Sequence, residues 1–384
     1  MDKKTSLEIL KFTQKLIQTP SQNGINSEKN IAKLIFTKLK TFGFQPRIIG
    51  PKNHPSVICL IRKPKAKKTI WLESCIDTVS TGDISRWKYH PFEARIEGNK
   101  LYGRGAADSK TGVAIFSYLA KELYNNSFFK ANIFLGFDSD EQGGNFTGIK
   151  KILKYAPKSE VCILGYQGRE EISIGARGWL RLKITTLGKS SHTGSRYNIG
   201  INAIHKMEKV IDRLLKISFL KKKEKFFEYG PSLNFSLIKG GIAINIVPDV
   251  CEVFVDVRFL PSQKPKVIIK EIINELEKIK KEDKELDFKI DVLQKTEAFL
   301  TELKHPFIGL LKKSAENVFK KEIKLTTSGA GSVGNLISSK NNLIINGFGC
   351  QFGNVHALNE WVNIEDLPKI LKIYKNSLIE FTKK

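Results

Sequence analysis

The sequence is short of acid: its 384 residues carry 39 Asp and Glu against 64 Lys and Arg, a net charge of +25. A nucleic-acid binder would gather that excess on one face with aromatics between the cations. A membrane-surface protein would carry it on a basic amphipathic helix. Here the basic stretches 64–68, 221–225 and 278–285 are scattered, and the longer ones include acids, as solvated helix faces do. We therefore expect neither nucleic acid nor a membrane as partner. No apolar run reaches the roughly 18 residues of a membrane span. The N-terminal stretch sets Leu7, Ile9, Leu10, Phe12, Leu16 and Ile17 among polar residues. It lacks the continuous apolar segment and small-residue cleavage site of a secretory leader, so a cytoplasmic location is expected. The five cysteines are odd in number and include no CxxC pair. That argues against a disulfide framework or a structural zinc cluster, and most should be small buried side chains. There is no internal repeat, and Gly329-Ala330-Gly331-Ser332 lacks the Lys-Ser/Thr of a phosphate loop.

What is present suffices for a core: 41% hydrophobic and 10% aromatic residues. A chain of this length predicts two domains. Helical periodicity over 4–17, 26–42 and 111–123 alternates with short apolar runs at 69–74, 131–137 and 160–165. That is the pattern of an α/β layer with a largely parallel sheet. From Trp179 the pattern changes. Alternating strands at 179–187, 233–240, 251–259 and 286–293 surround helices at 201–217 and 267–279. The order β-α-β-β-α-β is that of a ferredoxin-like unit. Helices at 303–320 and near 365–382, with a strand at 343–346, then resume the first pattern. The expected organisation is an α/β domain of 1–178 and 295–384 with an inserted α+β domain of 179–294.

Chemistry-bearing residues gather in four segments, most of them at or just after a predicted strand, where the sites of parallel sheets form. They are Ser74-Cys75-Ile76-Asp77, Gly103-Arg104-Gly105-Ala106-Ala107-Asp108-Ser109-Lys110, Asp138-Ser139-Asp140-Glu141-Gln142-Gly143-Gly144, and His356-Ala357-Leu358-Asn359-Glu360-Trp361. With the stretch 87–112, Gly188-Lys189-Ser190-Ser191-His192, the run Gly240–Asp249 and Asp256-Val257-Arg258, the chain resembles the co-catalytic zinc superfamily. That superfamily holds aminoacylases, acetylornithine and succinyl-diaminopimelate deacylases, and glutamate-releasing carboxypeptidases. The resemblance implies a zinc-aminopeptidase-like catalytic domain with an inserted lid that also dimerises, hence a homodimer. It also implies amide hydrolysis on N-acyl amino acids or small peptides. Asp108 matches the carboxylate bridging two zinc ions, Glu141 the general base, and Asp77 the acid that orients the first metal-binding histidine. His356 matches the last metal-binding histidine, and His192 the residue that stabilises the oxyanion from the partner's side. Asn245 and Arg258 match substrate-holding positions.

The departures from the pattern are as informative. Cys75 stands where the first histidine ligand is expected, Gln142 where a glutamate ligand is expected, and Tyr166 where a further carboxylate is expected. One ion would rest on His356, Asp108 and Gln142, the other on Cys75, Asp108 and Tyr166. Zinc favours imidazole, thiolate and carboxylate. This set leaves two dications under-compensated, so one zinc ion or none is expected. The reading is a divergent, at best mono-metallic amidohydrolase. The alternative is an inactive homologue that binds a small acyl-amino-acid or peptide ligand or serves as a dimer partner. A third possibility, Cys75 as nucleophile with His356 as base, finds no oxyanion hole in the sequence.

Overall fold

The computed structural model describes residues 3–340 and 343–383. The chain divides into two compact units. The first is Met1–Gly175 with Thr301–Thr326 and Ser332–Lys384, and the second is Ala176–Leu300 with Thr327–Gly331.

The first unit is built on a six-stranded sheet in the order Arg47–Ile49, Ser56–Ile61, Ala131–Asp138, Lys68–Cys75, Val161–Leu164, Ile344–Ile345. Ala131–Asp138, Lys68–Cys75, Val161–Leu164 and Ile344–Ile345 run parallel, and the other two strands add an antiparallel edge. Lys68–Cys75 lies inside the sheet and is buried along almost its whole length, which explains why it reads as a continuous apolar run. The helix Thr111–Tyr124 buries eleven of its fourteen residues and therefore lacks a polar stripe. The helices Lys3–Ile17 and Leu367–Thr382 bury one stripe each, through residues such as Phe12 and Leu16 or Leu371 and Leu378. Arg47–Ile49 and Ser56–Ile61 went unanticipated; both are short, and a turn-rich stretch, Gly50-Pro51-Lys52-Asn53-His54-Pro55, separates them.

The second unit is a four-stranded antiparallel sheet in the order Ser232–Gly240, Val250–Phe259, Gly178–Leu187, Asp287–Thr296. The helices Ala203–Leu215 and Pro265–Glu282 bury Met207, Val210, Leu214, Ile268, Ile272 and Leu276 in one cluster with Leu182, Ile184, Val253 and Val255 of the sheet. Its elements follow the order β-α-β-β-α-β. All five cysteines are buried free thiols. Among the described residues no helix is long and apolar enough to cross a membrane.

Candidate active site

Parallel strands deliver the first unit's polar residues to one edge of the sheet. Cys75 ends one strand and is registered beside Asp138, the last residue of its neighbour. Glu141 and Gln142 follow Asp138 in a tight turn, and Tyr166 follows the strand Val161–Leu164. The turn is held from inside by Asp140, whose positive φ of 58° a short acidic side chain tolerates. Its carboxylate accepts hydrogen bonds from Thr147 Oγ1 at 2.5 Å and Asn23 Nδ2 at 3.0 Å. Asp77 completes the turn: Oδ1 accepts the Glu141 amide at 3.1 Å and Oδ2 the Gln142 amide at 2.9 Å.

Asp108 arrives from the other side, in the stretch between the strand Lys100–Tyr102 and the helix Thr111–Tyr124. Gly103, at a φ of 156°, lies so close to Ile17 that an added Cβ would sit 2.5 Å from Ile17 Cγ2. The Asp108–Ser109 peptide is cis. Close backbone approach brings this stretch to the strand end that leads to Tyr166, since a Cβ on Gly112 would lie 2.3 Å from the Gly165 carbonyl oxygen.

The side chains then meet. Asp108 Oδ2 lies 2.7 Å from His356 Nε2 and accepts the Gln142 Nε2 amide at 3.1 Å. The Tyr166 hydroxyl donates to Glu141 Oε1 at 3.1 Å. Cys75 Sγ is 3.1 Å from Ser109 Oγ, 3.8 Å from Gln142 Nε2 and 4.0 Å from Asp108 Oδ1. Thus Cys75, Asp77, Asp108, Glu141, Gln142, Tyr166 and His356, residues anticipated from the sequence, come together. Among the described residues no group of three or more His, Cys, Asp or Glu side chains is arranged to hold a metal ion.

Electrostatics sort these groups. Burial pushes the Asp77 carboxyl up to about 7, against the backbone N–H groups that lower it. Burial raises Glu141 well above the usual carboxylate range, and Asp108, Asp77 and Asp138 raise it further. Burial likewise raises the Cys75 thiol and the Tyr166 phenol, helped in both by Asp108, Glu141 and Asp138. His356 is raised instead, chiefly by its hydrogen bond to Asp108. Without a cation beside them, the inner groups favour their neutral forms.

Four residues carried no role in the sequence reading. Asn23 spans Asp77 and Asp140 with one amide nitrogen. Lys110 is fully buried, donates to the Thr19 carbonyl at 2.8 Å and is pushed down to about 7 by burial. Arg104 and Glu360 form a buried ion pair of 2.6 Å. Charged residues inside otherwise apolar or glycine-rich stretches were the available signal for Lys110, Arg104 and Glu360; nothing marked Asn23. Ser332, which ends the Gly329-Ala330-Gly331-Ser332 stretch, caps the helix Val333–Ile337 and donates to Asn346 Oδ1 at 2.5 Å.

The other anticipated residues belong to the second unit. His192 is exposed and its Nδ1 accepts the Gly194 amide at 3.0 Å. The Asn245 carbonyl accepts the Thr193 amide at 3.1 Å, so both residues sit on one bridged pair of loops. Arg258 is tied to Asp256 by a hydrogen bond of 2.6 Å.

Acids, a thiol, an imidazole and a phenol at the carboxyl edge of a largely parallel sheet define an α/β enzyme scaffold. The chain belongs to Peptidase family M20/M25/M40, whose model matches residues 71–380. It is 28% identical over 391 residues to a succinyl-diaminopimelate desuccinylase of Hydrogenovibrio crunogenus, covering 97% of this chain and 98% of the relative. An uncharacterized metallohydrolase of Methanocaldococcus jannaschii is 29% identical over 333 residues, 80% of each chain. Among solved structures, an M20 family metallo-carboxypeptidase of Sulfolobus solfataricus superposes with a TM-score of 0.78 at 20% identity, covering 99% of both chains. A dinuclear metal binding M20 peptidase of Bacillus subtilis gives 0.76 at 14% identity, again over 99% of both. The superfamily implied by the motifs is thereby established, and with it a metal-dependent hydrolase ancestry.

Proposed function

We propose that this protein is a divergent amidohydrolase for N-acyl amino acids or small peptides, working with at most one metal ion. The observation that carries the reading is the donor set around Asp108. A two-ion centre does not fit it: the neutral Gln142 amide and the Tyr166 phenol stand where carboxylate ligands are expected, and Cys75 would add charge only as a thiolate. Asp108 would then be the one fixed anion shared by two dications. A single ion would rest on His356, Asp108 and, once its amide is turned over, the oxygen of Gln142, and its contribution would be to polarise the scissile carbonyl. Glu141 would be the base: the Asp77-held turn carries it beside Gln142, and its carboxyl accepts the Tyr166 hydroxyl. A neighbouring cation would favour its ionised form, which the surrounding acids now oppose. His192 would steady the oxyanion, and Asn245 and Arg258 would hold the substrate. The second unit would act as lid and dimerisation surface. Its edge strand Ser232–Gly240 leaves Leu237 and Ile238 more than half exposed, which supports pairing with a second copy.

One observation favours a second reading, binding without cleavage: the Tyr166 hydroxyl occupies Glu141 with a hydrogen bond. Hydrolysis of a panel of N-acyl amino acids and dipeptides separates the two. The first reading predicts release of the free amino acid by the zinc-reconstituted protein and loss of at least about 100-fold in Glu141→Ala. Activity surviving that substitution would sink the mechanism. Saturable binding with no turnover would select the second reading.

A further inference from the structure

We propose that Arg104 and Glu360 are positioning residues, a buried ion pair that sets Asp108 against His356 by gripping the backbone of the Asp108 turn. The proposal rests on the reading that Asp108 and His356 work together.

These two groups come from segments 248 positions apart in the chain. The His356 loop runs through three non-glycine residues at positive φ, Asn354, His356 and Asn359. It is steadied by the Asn354 side chain donating to the Asn359 carbonyl at 3.2 Å, and by Asn359 Oδ1 accepting the Lys88 amide at 2.7 Å. Neither contact reaches Asp108. Glu360, the next residue, does. Its Oε1 accepts the backbone N–H of Ala107 at 2.8 Å and of Asp108 itself at 3.0 Å. Its own carbonyl accepts the Gly103 amide at 2.9 Å, at the start of the same turn. One residue of the histidine's segment therefore holds the turn that aims the Asp108 carboxylate at both of its ends.

Glu360 can hold both amides through one oxygen because the other is occupied by Arg104 Nη1 at 2.6 Å. Arg104 is aimed in turn: Nη2 donates to the Ser80 carbonyl at 3.1 Å, and its guanidinium lies 5.1 Å from the centre of the Trp87 ring. One nitrogen of the guanidinium thus serves the carboxylate and the other the Ser80 carbonyl. A buried ion pair is weak evidence for stability, since apolar side chains of the same volume often serve as well. Apolar side chains could not, however, accept the Ala107 and Asp108 N–H groups. The pair is thus explained by what it holds.

The test reads His356 directly in the full-length, metal-free protein. With 15N-labelled histidine, the His356 imidazole signals are identified by their loss in His356→Ala and recorded at one fixed pH. In Glu360→Gln, whose amide sets a donor against groups that already donate, the His356 Nε2 signal should shift toward that of an unbonded imidazole while the remaining histidines stay in place. Arg104→Lys, which keeps the charge, should leave most of the His356 signal at its original position. If Glu360→Gln does not fold, Glu360→Asp, which keeps the charge but is one methylene short, is read the same way. A folded Glu360 variant with an unmoved His356 signal overturns the proposal. In parallel, zinc affinity should fall on the order of 10- to 100-fold in the Glu360 variant. If the unsubstituted protein takes up no zinc while its His356 signal still responds to Glu360, the metal reading fails and the positioning role stands.

Discussion

Acidic side chains in the two units live under opposite fields. In the second unit Asp283 takes the ammonium groups of Lys206 and Lys209, each at 2.8 Å, and is pushed down to about 2 by them. In the first unit, burial pushes Asp77 up to about 7 and Glu73 up to about 8, and it raises Asp138 and Glu141 as well. Ion pairs on a helical surface are a means of stability and solubility. Acids crowded at one end of a sheet with few cations are costly to fold, and such groups cluster where chemistry or binding needs them. The Arg104–Glu360 pair differs from these: a buried acid with its own counter-charge, beside Asp108. The site therefore has a compensated half, around His356 and Asp108, and an uncompensated half, around Cys75, Glu141 and Tyr166.

Breaking the compensated half should have the largest effect. Arg104→Met leaves Glu360 buried and unpaired, and should cost about 3–5 kcal/mol in denaturant unfolding of the whole chain. A cost below about 1 kcal/mol would mean that Glu360 is held mainly by the amides. Gly112→Ala tests how tightly the two halves are pressed together. The added methyl meets the Gly165 backbone, which cannot swing aside, so a loss of about 1–3 kcal/mol is expected. Gly309→Ala is the control, an open helical position with nothing within 4 Å, and should gain up to about 1 kcal/mol.

The second unit offers the smallest and most pH-dependent effect. Asp283 ionises more readily folded than unfolded, so its contribution is present above the ordinary Asp value of 3.8 and is lost as pH falls toward about 2. Asp283→Asn should therefore cost about 1 kcal/mol at pH 7 and nothing measurable near pH 2, followed by thermal unfolding. A cost that persisted at pH 2 would assign the effect to packing rather than charge.

Part of this comparison could be read before any coordinates. The apolar run 69–74 announced a buried strand, and Cys75, Asp108, Glu141 and His356 stood in motifs whose resemblance to the co-catalytic zinc superfamily implied a shared site. Glu73 could not be assigned a place, because an acid in an apolar run has no partner visible in sequence; here it accepts from Trp71 Nε1 at 2.5 Å. Nor could Asn23, whose loop has neither helical nor strand periodicity, yet whose amide spans Asp77 and Asp140. The Arg104–Glu360 pair joins residues 256 positions apart, a pairing that only the fold creates. Local patterns gave the elements and the chemistry-bearing residues, while long-range contacts decided which charges are compensated.

The central claim, that this cleft does not support a two-ion centre, is tested most directly by counting zinc. Protein reconstituted with excess zinc and then desalted is analysed for metal per chain, beside His356→Ala and the triple variant Cys75→His, Gln142→Glu, Tyr166→Glu. The account predicts no more than one equivalent in the unsubstituted protein, lost in His356→Ala, and a second equivalent gained in the triple variant. Two equivalents retained by the unsubstituted protein would contradict it.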